Sequence, residues 1–101
     1  MQTVTDDPAE NRFELHVDGE LAGFAQYVRR GGRLVFMHTE IGQAFGGRGL
    51  GGVLAAGALD AVRAEGARAV PLCPFVAAYI DKHPAYADLV DHELLARFDA
   101  T

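Results

Sequence analysis

From Asn11 to Val17 hydrophobic and polar residues alternate: Phe13, Leu15 and Val17 fall on one side of an extended chain, Arg12, Glu14 and His16 on the other. A period of two with one polar side predicts a strand with one solvated face. Asp18-Gly19 is a tight-turn signal, and a second strand is expected over Glu20 to Arg29, carrying Phe24, Tyr27 and Val28. Gly31-Gly32 turns the chain again into a third strand, Arg33 to Ile41. The expected unit is an antiparallel meander of three strands, preceded by a flexible lead-in over residues 1–10, where Asp6, Asp7 and Pro8 stand. The third strand puts Leu34, Phe36, His38 and Glu40 on one side and Val35, Met37, Thr39 and Ile41 on the other. Both sides begin apolar, so helices are expected to cover both faces of the sheet.

From Gly49 to Glu65 the period becomes helical, with Leu50, Val53, Leu54, Gly57, Ala58, Ala61 and Val62 on one stripe and Gly66 as a stop. Ala69 to Leu72 predicts a short strand. Because Pro71 and Pro74 bound it, and proline is confined to edges or irregular points of sheets, its ladder is expected to be incomplete. Pro74 opens a helix running to about His83, which Pro84 ends. A final amphipathic piece with Tyr86, Leu89, Val90, Leu94 and Phe98 is expected to be helical. The strand–helix–strand unit in the middle should be parallel and right-handed.

Composition narrows the class. A chain of 101 residues, half of them hydrophobic and 23% charged, suits one folded domain, expected over residues 11–101. The longest nearly apolar run, Leu50 to Leu59, is well short of the ~20 residues a membrane span needs. A polar, acidic N-terminus is not a signal peptide, and a single cysteine suits a reducing compartment, so a cytoplasmic location is expected. The net charge is −5 and no run of basic residues exceeds Arg29-Arg30, which argues against nucleic acid as a main partner. A polyanionic ligand must then be held by local amides and a few cations.

Such amides are expected at Gln43-Ala44-Phe45-Gly46-Gly47-Arg48-Gly49-Leu50-Gly51-Gly52, where a strand ends in a glycine-rich turn that opens a helix. Backbone N–H groups gather there at the positive end of the helix dipole, a seat for phosphate. No Gly-Lys-Ser/Thr ending follows, so the pattern is not that of a triphosphate loop. Beside it, His38 is a candidate general base, and Glu40, two residues on, is placed to orient it or to accept a proton through water. Cys73, at the start of the helix that Pro74 opens, is either a nucleophile favoured by the helix dipole or a small buried hydrophobe lining a pocket. His16 and His92 read as solvated, His83 reads as a helix stop, and no cluster has metal-ligand spacing.

Three stretches together resemble the GNAT superfamily of acyl-CoA-dependent N-acetyltransferases, in particular its compact YjdJ-like branch. They are His38-Thr39-Glu40 leading into Gly46-Gly47-Arg48-Gly49-Leu50-Gly51; Pro71-Leu72-Cys73-Pro74-Phe75-Val76 followed by Tyr79-Ile80; and His83-Pro84-Ala85-Tyr86-Ala87-Asp88-Leu89-Val90. The resemblance implies an α+β fold of α/β/α sandwich type in its minimal form: three-strand meander, glycine turn, helix, strand and C-terminal helices. It implies acetyl-CoA as co-substrate, no metal, and an amine of a small molecule or protein as acceptor. The amides of Gly46, Gly47, Arg48, Gly49, Leu50, Gly51 and Gly52 would cradle the pyrophosphate, with Arg48 adding a charged contact. The pantetheine arm would run between the third strand, at Ile41, and the segment Val70 to Leu72, with the thioester near His38, Glu40 and Cys73. Tyr79 matches the tyrosine that the superfamily often uses to protonate the departing sulfur, and Tyr86 is a second choice. One departure stands out: the superfamily's turn opens on Arg or Gln, and Gly46 holds that position here, Gln43 lying three residues early. The alternative from another class is a non-catalytic acyl-CoA-binding or protein-interaction module on the same fold.

Overall fold

The computed structural model describes residues 1–99; the last two residues of the expected domain, 100 and 101, lie outside the described part. Five strands form one sheet in the order β1 (Gln2–Asp7), β2 (Arg12–Val17), β3 (Glu20–Arg29), β4 (Arg33–Ile41) and β5 (Arg68–Pro71). The first four are antiparallel neighbours, and β5 joins β4 in parallel. Between β4 and β5 runs α1 (Leu50–Ala64); α2 (Pro74–Lys82), a 3₁₀ segment (Pro84–Leu89) and α3 (His92–Asp99) follow. The alternation in β2, the Asp18-Gly19 and Gly31-Gly32 turns and the helical stripe of α1 all produce the elements expected of them.

The N-terminus is a correction. Residues 1–10 are not a loose lead-in: Gln2–Asp7 adds a fourth strand to the meander, paired with β2 along its whole length from Gln2↔Val17 to Asp7↔Arg12. An edge strand held mainly by backbone pairing needs few apolar residues; on its inward side Val4 packs against the core and Asp6 accepts from the Tyr27 hydroxyl. Val4 packs on α1 at Gly57, where an added Cβ would lie 2.6 Å from the valine side chain.

α1 lies across the sheet with Leu50, Leu54, Ala58, Leu59 and Val62 buried against Phe13, Leu15, Tyr27, Leu34 and Phe36. Val76 and Ile80 of α2 join the same core, so α1 and α2 share one face. The opposite face is only partly covered. Val35 and Val70, paired across β4 and β5, are buried there, and α3 packs at β5. Over β2, β3 and the end of β4 that face is open, with His38 and Glu40 exposed on it. Helices therefore do not blanket both faces as the third strand suggested; the apolar start of β4 reflects burial near β5 alone.

The last amphipathic piece is also two elements rather than one helix. Val90 forms a parallel bridge with Ala69, and Asp91 N–H donates to the Ala69 carbonyl (2.9 Å), which interrupts the helical run. Asp91 then accepts from the Leu94 N–H at 3.0 Å, capping α3, and from Arg33 Nε at 2.6 Å. The guanidinium holds the Asp91 carboxyl below its usual range, with the Leu94 amide adding to it.

Candidate active site

Two irregularities in β4 and β5 open the sheet. The pairing of β3 with β4 jumps from Gln26↔His38 to Tyr27↔Phe36, so Met37 is an extra residue, a β-bulge. Its side chain is exposed. At the same level β5 leaves the sheet. The last rung joining β4 and β5 is Phe36↔Pro71, and proline carries no N–H to continue it. Leu72 N–H turns back to the Val70 carbonyl (3.1 Å), and Cys73 N–H reaches the Phe36 carbonyl (2.9 Å). Beyond that bond, Met37 to Ile41 have no strand partner on the β5 side among the described residues. The incomplete ladder expected at Pro71 is thus present, as a gap between the second half of β4 and the start of α2.

The candidate groups stand on two sides of this gap. His38 and Glu40 share the open face, with His38 Nε2 3.5 Å from Glu40 Oε1. The His38 ring meets Phe24 edge-on at 6.1 Å. Thr39, between them in sequence, points the other way, towards the α1 side, and accepts from Cys73 Sγ at 3.4 Å. Cys73 is the N-cap residue of α2 and is buried, 4% exposed. The structure therefore brings His38 together with Glu40, and Cys73 together with Thr39, across the width of one strand.

Tyr79 is elsewhere. Its ring stacks on His83 at 3.9 Å, lies 6.0 Å from Tyr86 and packs beside Gly52. Among the described residues no hydrogen bond, ion pair or ring contact links it to His38, Glu40 or Cys73. Tyr86 donates its hydroxyl to Asp60 (2.8 Å); burial first and Asp60 second push its phenol up to about 12. A proton held that firmly, on the far flank of α1, makes Tyr86 a poor acid for this site. His16, read as solvated, is in fact half-buried and lies 3.8 Å from Glu14.

Past Ile41 a 3₁₀ turn (Gln43–Phe45) leads into the glycine stretch. Gly47 and Gly49 take positive φ, 75° and 71°, and Gly49 caps α1 in the left-handed region. The amides of Gly47, Arg48 and Gly49 have no hydrogen-bond partner among the described residues. The first amides of α1, starting at Leu50, have no helical acceptor either, as at any helix start. Gly51 is needed for packing: a Cβ there would lie 2.5 Å from the Phe75 ring, which covers the first turn of α1. Gly46 N–H, by contrast, is used internally by the Gln43 carbonyl (3.3 Å), so Gly46 is the least available of the amides expected to act.

Charge sharpens this region. Most Lys and Arg side chains make ion pairs with carboxylates, and Arg68 binds the Leu89 and Val90 carbonyls. Arg30, Arg48 and Lys82 make no carboxylate pair among the described residues, and Arg30 lies over the Phe98 ring (5.9 Å), away from this region. Arg48 lies over the Phe45 ring (5.6 Å) beside the turn. Lys82, the one lysine of the chain, lines a groove with Phe75, Ala78 and Tyr79 along α2. Sequence reasoning passed over Lys82 and Thr39; the helical spacing of Phe75, Tyr79 and Lys82 was the available signal.

Comparison with known proteins decides the family. The family model described as GCN5-related N-acetyl-transferase matches residues 12–89, well over half of the chain. The chain belongs to that family. The solution structure of a GCN5-like protein from Staphylococcus aureus superposes with a TM-score of 0.66 at 19% identity, over 87% of this chain and 86% of that one. The expected α+β architecture of the N-acetyltransferase fold is therefore present, here as five mixed strands with helices. No curated protein matches the chain. The GCN5-related family normally uses acetyl-CoA and an amine as substrates. Among the described residues no group of His, Cys, Asp and Glu is arranged to hold a metal ion.

Proposed function

We propose that this GCN5-related domain is an acetyl-CoA-dependent N-acetyltransferase acting on an amine. One observation carries the reading: free amides at Gly47, Arg48 and Gly49 stand at the end of the same strand whose partner has pulled away, and His38 and Glu40 border that gap. The amides and Arg48 fit a pyrophosphate, and the gap beside Ile41, Leu72 and Cys73 fits the extended pantetheine arm. Acetyl-CoA supplies the acetyl thioester. The amine nitrogen attacks the thioester carbonyl, forming the amide C–N bond as the C–S bond breaks. His38 takes the proton the amine loses and returns it to the departing CoA sulfur, which leaves as the free thiol, and Glu40 orients the imidazole from 3.5 Å. Cys73 and Thr39 wall the gap on the other side. Since Thr39 is the side-chain partner of the Cys73 sulfur, and no base touches that sulfur among the described residues, direct transfer to the amine is favoured over an acetyl-cysteine route. The Pro71-to-Val76 and His83-to-Val90 stretches support a place in the YjdJ-like branch, and the single cysteine supports a cytoplasmic location.

The direct route predicts that Cys73→Ala keeps kcat/KM within about tenfold, tenfold corresponding to ~1.4 kcal/mol. A loss of activity to background, with an acetylated Cys73 trapped in the wild type and seen by mass spectrometry, would establish the covalent route instead. Free-thiol release from acetyl-CoA over a panel of amines tests the transferase reading as a whole. CoA binding without any amine-stimulated release would leave the non-catalytic acyl-CoA-binding module.

The Phe75–Tyr79–Lys82 groove borders the pyrophosphate seat, since Phe75 covers Gly51. We assign it to the nucleotide end of CoA, with Lys82 as the cation for the ribose phosphate. A hydrogen bond to a charged group is worth about 1.5–3 kcal/mol, so Lys82→Gln should weaken CoA binding by roughly tenfold. Binding of dephospho-CoA, which lacks that phosphate, should be unchanged. Calorimetric titration of both ligands reads the difference, and equal losses for the two would reject the assignment.

A further inference from the structure

The open face of the sheet holds a hollow of about 130 Å³ lined by Leu21, Ala22, Gly23, Phe24, Glu40 and Gly42. Its walls are mostly apolar, with Leu21 46% exposed, and it has one carboxylate. Arg12 lies over the Phe24 ring at 4.9 Å and is paired with Glu14 at 2.8 Å. Glu40 has no Lys or Arg partner among the described residues; its neighbour is His38. The hollow thus presents an uncompensated carboxylate, an apolar bed and, 3.5 Å from that carboxylate, the imidazole assigned above as base.

We infer that this hollow is the acceptor subsite and that it selects a primary amine on an unbranched aliphatic stem. The ammonium sits against Glu40, the methylenes lie along Leu21 and Phe24, and His38 takes the proton that must leave before nitrogen is nucleophilic. A carboxylate next to the amine, as in a free α-amino acid, would be repelled by Glu40. The inference deepens the acetyltransferase reading and rests on it for the chemistry, but not for the binding. A free alkylamine and a lysine side chain both present this chemistry.

The test has a binding arm without acetyl-CoA. Pentylamine added to the protein should shift the backbone amide resonances of Leu21 to Phe24 and Glu40 to Gly42. Pentan-1-ol, its neutral counterpart, should leave them in place, and Glu40→Gln should weaken the pentylamine effect about tenfold. Equal shifts from the alcohol, an unchanged response in Glu40→Gln, or shifts confined to another surface would overturn the assignment. In the kinetic arm, with acetyl-CoA, Glu40→Gln should raise the KM for pentylamine about tenfold and leave that for acetyl-CoA unchanged. Pentylamine and Nα-acetyl-lysine methylamide should both exceed alanine as acceptors, and the better of the two identifies the source, free amine or protein lysine. Preference for alanine would contradict the subsite. If acetyl-CoA fails to bind at all, the transferase reading falls while the binding arm still decides this one.

Discussion

Replacing Phe36 with alanine is expected to destabilise the domain by about 3–5 kcal/mol, the usual cost of truncating a buried phenylalanine. The Phe36 side chain is fully buried, with its ring 6.2 Å from Phe13 and 6.4 Å from Tyr27. It stands under α1 at the last rung between β4 and β5. Small domains hold only about 5–15 kcal/mol in total, so the loss removes a large share of the stability. Urea denaturation should show a lower midpoint with the slope retained. A change below about 1 kcal/mol would mean that the cavity collapses or that the ring carries little packing. The same residue places the site: its carbonyl takes the Cys73 N–H, the bond that ties the start of α2 to β4 just before the gap. In the surviving folded fraction, loosening Phe36 should therefore weaken acetyl-CoA binding as well.

His38→Ala is expected to lower kcat/KM by about 10²–10⁴, the range general-base catalysis contributes, while acetyl-CoA affinity stays within about twofold. The imidazole is exposed and touches Glu40 and the Phe24 edge, so its removal costs little packing. The split follows from geometry: His38 stands on the open face, whereas the free amides and Arg48 lie beyond the end of the strand. Steady-state kinetics and calorimetry on the same variant read the two quantities. Activity unchanged in His38→Ala would remove it from the reaction and leave Glu40, or water, as the proton acceptor.

Most of the fold was legible because it is local. Alternation set β2, Asp18-Gly19 and Gly31-Gly32 set the turns, and Pro71 announced a ladder that stops. What the sequence hid depends on distant partners. β1 carries Thr3, Thr5, Asp6 and Asp7, and no apolar period betrays it; its pairing with β2 is a backbone property. Its trace in the sequence is Gly57, a glycine on the apolar stripe of a helix, where alanine would be better by about 1 kcal/mol unless another chain comes close. The bulge at Met37 is likewise invisible, since a bulge is defined against the partner strand. It shifts the side-chain alternation along β4: Phe36 faces the core, while His38 and Glu40, placed on the same side as Phe36 by a strict period of two, face the open side.

The site was legible in its parts and not in its arrangement. His38 with Glu40, and the glycine turn, follow from spacing along one strand and its exit. That Tyr79 lies with His83 and Tyr86, away from both, follows from how α2 packs on α1 through Gly51 and Gly52. That Lys82 has no carboxylate partner among the described residues emerges only once the ion pairs of Arg12, Arg29, Arg33, Arg63 and Arg97 are seen.

Acetyl-CoA is proposed to lie in the glycine turn and the β4–β5 gap. Titration with acetyl-CoA, followed by backbone amide resonances, checks this at the residues themselves. Saturable shifts are expected at Gly47 to Leu54, at Met37 to Ile41 and at Leu72 to Phe75. Absence of any perturbation at Gly47 to Leu54 at millimolar acetyl-CoA would contradict it.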